Sequence, residues 1–149
     1  IDLLDGKMVP GQNVLVIGGG LVGAETADFL GENGRDVTIM DMLPGIAMKM
    51  QLGTRKVLMA RYEQYGVKQI TNAMGLEIFE DGIVYKQNDE VKELRGFDTI
   101  VVASGSKAYN PFEEELRNKV KELYVIGDAN KVGLAIDATE AAARLAIEI

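Results

Sequence analysis

Apolar residues in this chain fall into short blocks whose period changes from block to block. Asn13-Val14-Leu15-Val16-Ile17 is a continuous, β-branched run, suited to a strand buried on both faces of a parallel sheet. From Leu21 the period becomes helical, with Leu21, Ala24, Ala27 and Leu30 at every third position, and Gly34 stands where a left-handed helix stop belongs. Asp36-Val37-Thr38-Ile39-Met40 reads as a second strand that closes on Asp41, which completes a strand–helix–strand unit. Residues 42–52 read as a loop, with Pro44, Gly45 and a cluster of methionines better suited to packing than to ligation. Thr54 is placed to cap a helix running to about Tyr65, with Val57, Leu58, Arg61 and Tyr65 on related faces, and 67–70 reads as a short strand.

The pattern then changes character. Three short alternating runs, 73–79, 83–87 and 90–94, are separated by the turn signals Glu80-Asp81-Gly82 and Asn88-Asp89, which predicts an antiparallel meander. Residues 98–103 are another buried-strand run, and it stops at Ser104-Gly105. Beyond Gly105 the chain turns polar, with a short helix candidate at 112–118 and a buried run Leu123-Tyr124-Val125-Ile126 ending on Gly127-Asp128. An alanine-rich helix over 136–149 offers Ala138, Ala141, Ala142, Leu145 and Ile149 for burial. Three strands thus end in glycine, and ligands of open parallel sheets bind beyond the carboxyl ends of strands. The fold class expected from these periods is α/β, with a parallel sheet and a three-stranded antiparallel meander as crossover.

Gly18-x-Gly20-x-x-Gly23 lies directly between the first strand and its helix. Gly18 permits the tight turn, Gly20 lets backbone N–H groups reach a pyrophosphate, and Gly23 lets helix and strand pack closely. Gly19, Leu21 and Val22 fill the same loop and helix start, whose unpaired N–H groups attract an anion. Asp41, 21 residues past Gly20, is positioned to accept hydrogen bonds from ribose hydroxyls. A carboxylate there repels the 2′-phosphate of NADP(H), and Met42-Leu43-Pro44 supply no cation, so NAD(H) is preferred over NADP(H). Lys49 and Arg55 are the cations near enough in sequence to oppose that preference.

Composition narrows the chemistry. The 149 residues carry 16 Lys+Arg against 23 Asp+Glu, a net charge of −7, which disfavours nucleic acid and anionic membrane surfaces. No apolar run is long enough for a membrane span and no signal peptide is visible, so a cytoplasmic location is expected. The chain contains no Cys and no His, hence no thiolate nucleophile, no cysteine-ligated cluster and no imidazole base. A Tyr-x-x-x-Lys pair is also absent: Tyr62 lies beside Arg61, and Tyr85-Lys86 are adjacent on a strand. No catalytic or metal-ligating side chain is therefore assigned. Hydride transfer to a flavin needs none in the nucleotide domain, because the cofactors carry the chemistry.

The run from Val14 through Gly23 to Ala24-Glu25 resembles the nucleotide-binding start of the pyridine nucleotide–disulfide oxidoreductase superfamily. Residues 98–105, ending in Ser104-Gly105, are similar to its second marker, and Leu123-Tyr124-Val125-Ile126-Gly127-Asp128-Ala129 to its third, whose Asp contacts FAD. Asp5-Gly6-Lys7 and the run from Asn110 to Ile126 look like NADH:flavin oxidoreductases of the 2,4-dienoyl-CoA reductase type. That resemblance implies a Rossmann-like three-layer FAD/NAD(P)-binding fold, with residues 1–105 as the NAD(H)-binding domain and 106–149 as the C-terminal portion of the FAD-binding domain. It further implies a fragment of a longer protein, whose remaining chain completes the FAD site and carries FMN and an iron–sulfur cluster upstream. Gly127 and Asp128 would then face FAD, and Glu25 would lie near the nicotinamide, although a helix acid facing solvent explains Glu25 equally. The terminal helix, if left without its neighbours, would promote homodimerisation through an exposed apolar face. Two other functions remain open at this point: a non-catalytic NAD(H) sensor and an S-adenosylmethionine-dependent methyltransferase.

Overall fold

The computed structural model describes residues 6–149. Residues 1–5, the start of the polar entry and with it Asp5 of Asp5-Gly6-Lys7, lie outside the described residues. The chain divides into two compact units, the first running to Gly105 and the second spanning Ser106–Ile149.

In the first unit, β1 (Asn13–Ile17) is followed by α1 (Leu21–Glu32), β2 (Asp36–Met40), α2 (Leu52–Tyr65) and β3 (Lys68–Ile70). The meander β4 (Ala73–Ile78), β5 (Ile83–Gln87) and β6 (Glu90–Leu94) then leads into β7 (Thr99–Val102). Four strands form a parallel sheet in the order β3-β2-β1-β7, with Val14 in register with Val37 on one side and Thr99 on the other. Side-chain alternation sends Val14, Val16, Val37 and Ile39 to one face, where they meet Ala24, Ala27 and Leu30 of α1 and Leu58 and Tyr62 of α2. Leu15 and Met40 point to the opposite face and pack on Ala73, Ile83 and Tyr85 of the meander. The result is three layers, helices on parallel sheet on meander, which is the fold class expected. Complete burial of a side chain such as Leu30 or Ile39 is worth roughly 1.5–3 kcal/mol, so these two seams hold the unit together.

Polar contacts fix the details. The Tyr62 hydroxyl, fully buried, donates to the carbonyl of Ala24 at 2.8 Å and ties α2 to α1. Arg61 reaches from α2 to Asp28 and Glu32 of α1, at 2.9 and 3.0 Å. Asn88 and Asp89 join β5 to β6 with φ of 51° and 64°, the two left-handed residues that a tight hairpin turn requires. Arg95 pairs with Asp81 at 2.7 Å and with Glu93 at 2.5 Å, and stacks 3.9 Å from the centroid of Phe79.

The second unit contains α3 (Glu113–Arg117), a single 3₁₀ turn at Gly127–Ala129, and α4 (Ala135–Glu148). None of its residues is fully buried. Ala138, Ala141 and Leu145 form a half-buried stripe on α4, whereas Ala142 and Ile149 are exposed.

Three expectations need correction. Helix α2 begins at Leu52 with Gln51 as its flanking residue, and the Thr54 hydroxyl bonds the Gln51 side chain at 3.0 Å instead of capping the backbone. Val57, expected on a related face, is 62% exposed, and Tyr62 joins Tyr65 among the aromatics packed on the α1 side. Residues 123–126 form no strand, with Tyr124 49% exposed. A strand requires a partner backbone, and the second unit contains no strand to supply one.

Candidate functional site

Strand order places a topological switch at β1: its crossover α1 leads away to β2, and β7 returns on the other side. The crevice beyond the carboxyl ends of β1 and β7 is where such sheets bind ligands. Gly18 opens the loop there, with φ +108° and its N–H donating to the carbonyl of Met40 at 2.9 Å. A Cβ on Gly18 would stand 2.4 Å from the carbonyl oxygen of Ala103 and 2.9 Å from the nitrogen of Ser104. Ser104 and Gly105 are therefore part of the same crevice wall, and both are exposed. A Cβ on Gly23 would stand 1.9 Å from the carbonyl oxygen of Gly18. Close packing within the chain thus requires glycine at both positions.

Gly20 is different. Its φ of −66° and ψ of −173° are open to any residue, and a Cβ there would meet nothing within 4 Å. No contact within the fold demands glycine, and the space in front of this exposed residue is open. Gly20 stands at the N-terminus of α1, where no side chain caps the backbone and no acidic residue occupies the first turn. The amides at Leu21, Val22 and Gly23 begin the helix and supply positive potential toward that space. Leu21 is half-buried and Val22 is 58% exposed.

Asp41 terminates β2 beside this loop. Its Oδ2 accepts the N–H of Gly19 at 2.5 Å and its Oδ1 accepts the N–H of Leu43 at 2.7 Å. Each carboxylate oxygen has two acceptor sites, so one on each remains after these bonds. The carboxylate therefore fastens the glycine loop and keeps capacity for a vicinal diol. Gly19 is enclosed: a Cβ would meet Ile46 Cδ1 at 2.5 Å and Asp41 Cβ at 3.0 Å. Its amide, committed to Asp41, is one donor fewer for a bound anion. Met42 and Leu43 lie beyond Asp41 and are 65% and 48% exposed.

The structure brings Gly18, Gly19, Gly20, Leu21, Val22, Gly23, Asp41 and Ser104-Gly105 to one sheet edge. Glu25 is exposed on α1 and forms no ion pair or hydrogen bond with the described residues. Gly127, with φ +60°, and exposed Asp128 belong to the second unit, where Asp128 Oδ1 accepts the N–H of Gly133 at 3.2 Å. Sequence reasoning missed Ile46 and Ala47, both fully buried inside a segment read as a loop. The Ala47 amide donates to the carbonyl of Gly19 at 2.7 Å, and Arg55 Nε donates to the carbonyl of Ile46 at 2.7 Å. The only local signal for this seam is an apolar Ile46-Ala47 pair within otherwise turn-rich sequence. A groove of about 410 Å³, lined by residues including Asp36, Thr38, Lys68 and Phe97, lies toward the amino ends of the strands and contains no fingerprint residue.

Among the described residues, no cluster of acidic side chains could hold a metal and no helix is long and apolar enough to cross a membrane. An NADH oxidase of Thermoanaerobacter brockii is 35% identical over 151 residues, 99% of this chain and 23% of its own length. A bilirubin reductase of Mediterraneibacter gnavus is 35% identical over 130 residues, 87% of this chain and 20% of its own. A solved 2-naphthoyl-CoA reductase, in complex with 2-naphthoyl-CoA, superposes with a TM-score of 0.82 at 26% identity, over 99% of this chain and 23% of that one. This chain spans less than a quarter of the length of each. The NADH oxidase and the 2-naphthoyl-CoA reductase agree with the resemblance to NADH:flavin oxidoreductases of the 2,4-dienoyl-CoA reductase type. The pyridine nucleotide-disulphide oxidoreductase family matches residues 2–142, and with its glycine-marked strand ends and its meander the chain belongs to that family.

Proposed function

We propose that residues 1–105 bind NADH and orient its nicotinamide for hydride transfer to FAD in a flavin-dependent oxidoreductase. Residues 106–149 are, on the same reading, the C-terminal portion of the FAD-binding domain, completed by the rest of the parent chain. The observation that carries the proposal is the open cradle at Gly20, a glycine that the fold itself does not need. The amides of Leu21, Val22 and Gly23 bind the pyrophosphate, and the remaining acceptor sites of Asp41 take the adenosine ribose diol. Bound there, a reduced nicotinamide supplies the hydride. Glu25 orients the nicotinamide end, and Gly127 and Asp128 contribute to holding FAD.

Preference for NAD(H) over NADP(H) rests on Asp41 and on the non-cationic Met42-Leu43-Pro44 that follow it. Arg55 is half-buried with its Nε bonded to a backbone carbonyl, and Lys49 is the exposed cation of the loop. FMN and an iron–sulfur cluster, with the final substrate, belong to the upstream part of the parent protein. Titration with NADH, NADPH and S-adenosylmethionine, followed by amide chemical shifts, tests the reading. Shifts at Gly18, Gly20 and Leu43 should appear with NADH at lower concentration than with NADPH. Shifts with S-adenosylmethionine alone would reverse the assignment.

A further inference from the structure

We infer that Arg55 is a positioning residue for the adenosine half of the dinucleotide site, an inference that rests on the NADH-binding reading above. The geometry is a closed chain of contacts. Arg55, in the first turn of α2, donates Nε to the carbonyl of Ile46 at 2.7 Å. The next amide, Ala47 N–H, donates to the carbonyl of Gly19 at 2.7 Å. The Gly19 amide in turn donates to Asp41 Oδ2, and Asp41 Oδ1 accepts the Leu43 amide. The glycine loop, the end of β2 and the β2–α2 loop are thereby fastened to one another, and the guanidinium of Arg55 anchors that assembly to α2.

Such an anchor is needed because of what it holds. Ala47 has φ 53°, the left-handed region that an L-residue with a Cβ avoids. Its conformation persists only if the neighbours over-determine it. Buried Ile46 does part of this, its Cδ1 lying 2.5 Å from where a Gly19 Cβ would stand. Arg55 does the rest, from a half-buried position where its one hydrogen bond is shielded. Loosening the loop would let Asp41 and the Gly19 carbonyl drift, and both bear on the ribose and the start of the pyrophosphate cradle. The nicotinamide end, across the sheet edge, makes no use of this chain of contacts.

The test measures binding of NADH, ADP-ribose and reduced nicotinamide mononucleotide to the intact protein and its Arg55→Met and Arg55→Lys variants. Arg55→Met should weaken NADH and ADP-ribose by about tenfold, while the mononucleotide changes less than about twofold. In NADH turnover by the flavin-loaded full-length protein, KM should rise and kcat hold. Arg55→Lys, which keeps a donor, should fall between wild type and Arg55→Met. Unchanged ADP-ribose affinity in Arg55→Met, or equal losses for ADP-ribose and the mononucleotide, would overturn the assignment. If Arg55→Met does not fold, Arg55→Lys decides: a loss for ADP-ribose of about two- to threefold over the mononucleotide supports it, and equal changes sink it. Failure of the wild type to bind NADH and ADP-ribose at all would instead remove the NADH-binding reading itself.

Discussion

Asp41 Oδ2 and the amide of Gly19 lie 2.5 Å apart, so the acid that ends β2 also holds the glycine loop in place. Asp41→Ala therefore removes two things at once, acceptors for the ribose diol and the partner of two backbone amides. Hydrogen bonds to a charged group are worth about 1.5–3 kcal/mol, so NADH affinity should fall roughly 10- to 100-fold. NADPH should lose less, because the repulsion of its 2′-phosphate disappears with the carboxylate. Calorimetric titration of both cofactors checks this, and unchanged affinity for both would take Asp41 out of the site.

Gly20 and Gly23 should separate binding from folding. Gly20→Ser introduces a side chain that caps helix N-termini well, at a backbone conformation already extended, so stability should hold or rise by a few tenths of a kcal/mol. The same side chain fills the cradle and should abolish most NADH binding. Gly23→Ala places a Cβ 1.9 Å from the Gly18 carbonyl oxygen, and stability should fall by about 1–3 kcal/mol through overpacking. Thermal melts beside NADH titrations read both effects; a Gly20→Ser protein with wild-type affinity would show that the cradle is not a phosphate site.

These elements differ in how far they could be read from sequence alone. The run Asn13–Ile17, the Gly18 to Gly23 loop and the meander carry their signals locally, in period, turn residues and glycine spacing. Helix α2 starts earlier than Thr54 suggests because a hydroxyl can bond the preceding side chain as readily as a backbone amide. The run 123–126 has strand composition, but composition cannot supply a neighbouring strand. The seam of Ile46, Ala47 and Arg55 is invisible for another reason: its bonds run from backbone atoms to residues far along the chain, and such bonds leave no periodic trace. Asp41 was legible as an acceptor for a ligand, whereas its bonds to Gly19 and Leu43 became visible only in the structure.

Tyr62→Phe isolates the tie between α1 and α2. The ring stays buried and only the 2.8 Å bond to the Ala24 carbonyl is lost. Denaturant unfolding should show a loss of about 0.5–1.5 kcal/mol with no change in slope. NADH affinity should be unaffected, since the bond is buried between α1 and α2 and uses none of the loop amides. Burial pushes the Tyr62 phenol well above its ordinary range, so no phenolate absorbance should appear for it in the native protein as pH rises toward 10.

The meander carries a pH-dependent contact. Hydrogen bonding from Arg95 holds the Asp81 carboxyl below its ordinary value of 3.8. A depressed carboxyl favours the folded state above that ordinary value, and its contribution disappears as pH falls through the lowered one. Carboxyl titration by NMR should find Asp81 protonating after the exposed acids, and Arg95→Met should return it to the ordinary range. An unshifted Asp81 in the native protein would mean that solvent screens the pair fully.

The second unit predicts how this chain behaves with flavin. No residue of Ser106–Ile149 is fully buried, Ile126 is 39% exposed, and Asp128 already accepts the amide of Gly133. Flavin binding requires an enclosed, largely apolar pocket with a few placed polar groups, and residues 106–149 leave every side chain at least partly exposed. The first unit, in contrast, buries two apolar seams of its own and holds its glycine loop through contacts internal to it. Purified on its own, the 149-residue chain should therefore bind NADH yet show no visible flavin absorbance, and added FAD should be lost on gel filtration. On the proposed reading, in which the rest of a longer protein completes the FAD site, flavin should remain bound when that part is present. A stoichiometric yellow preparation of the chain alone would show that residues 106–149 hold flavin unaided.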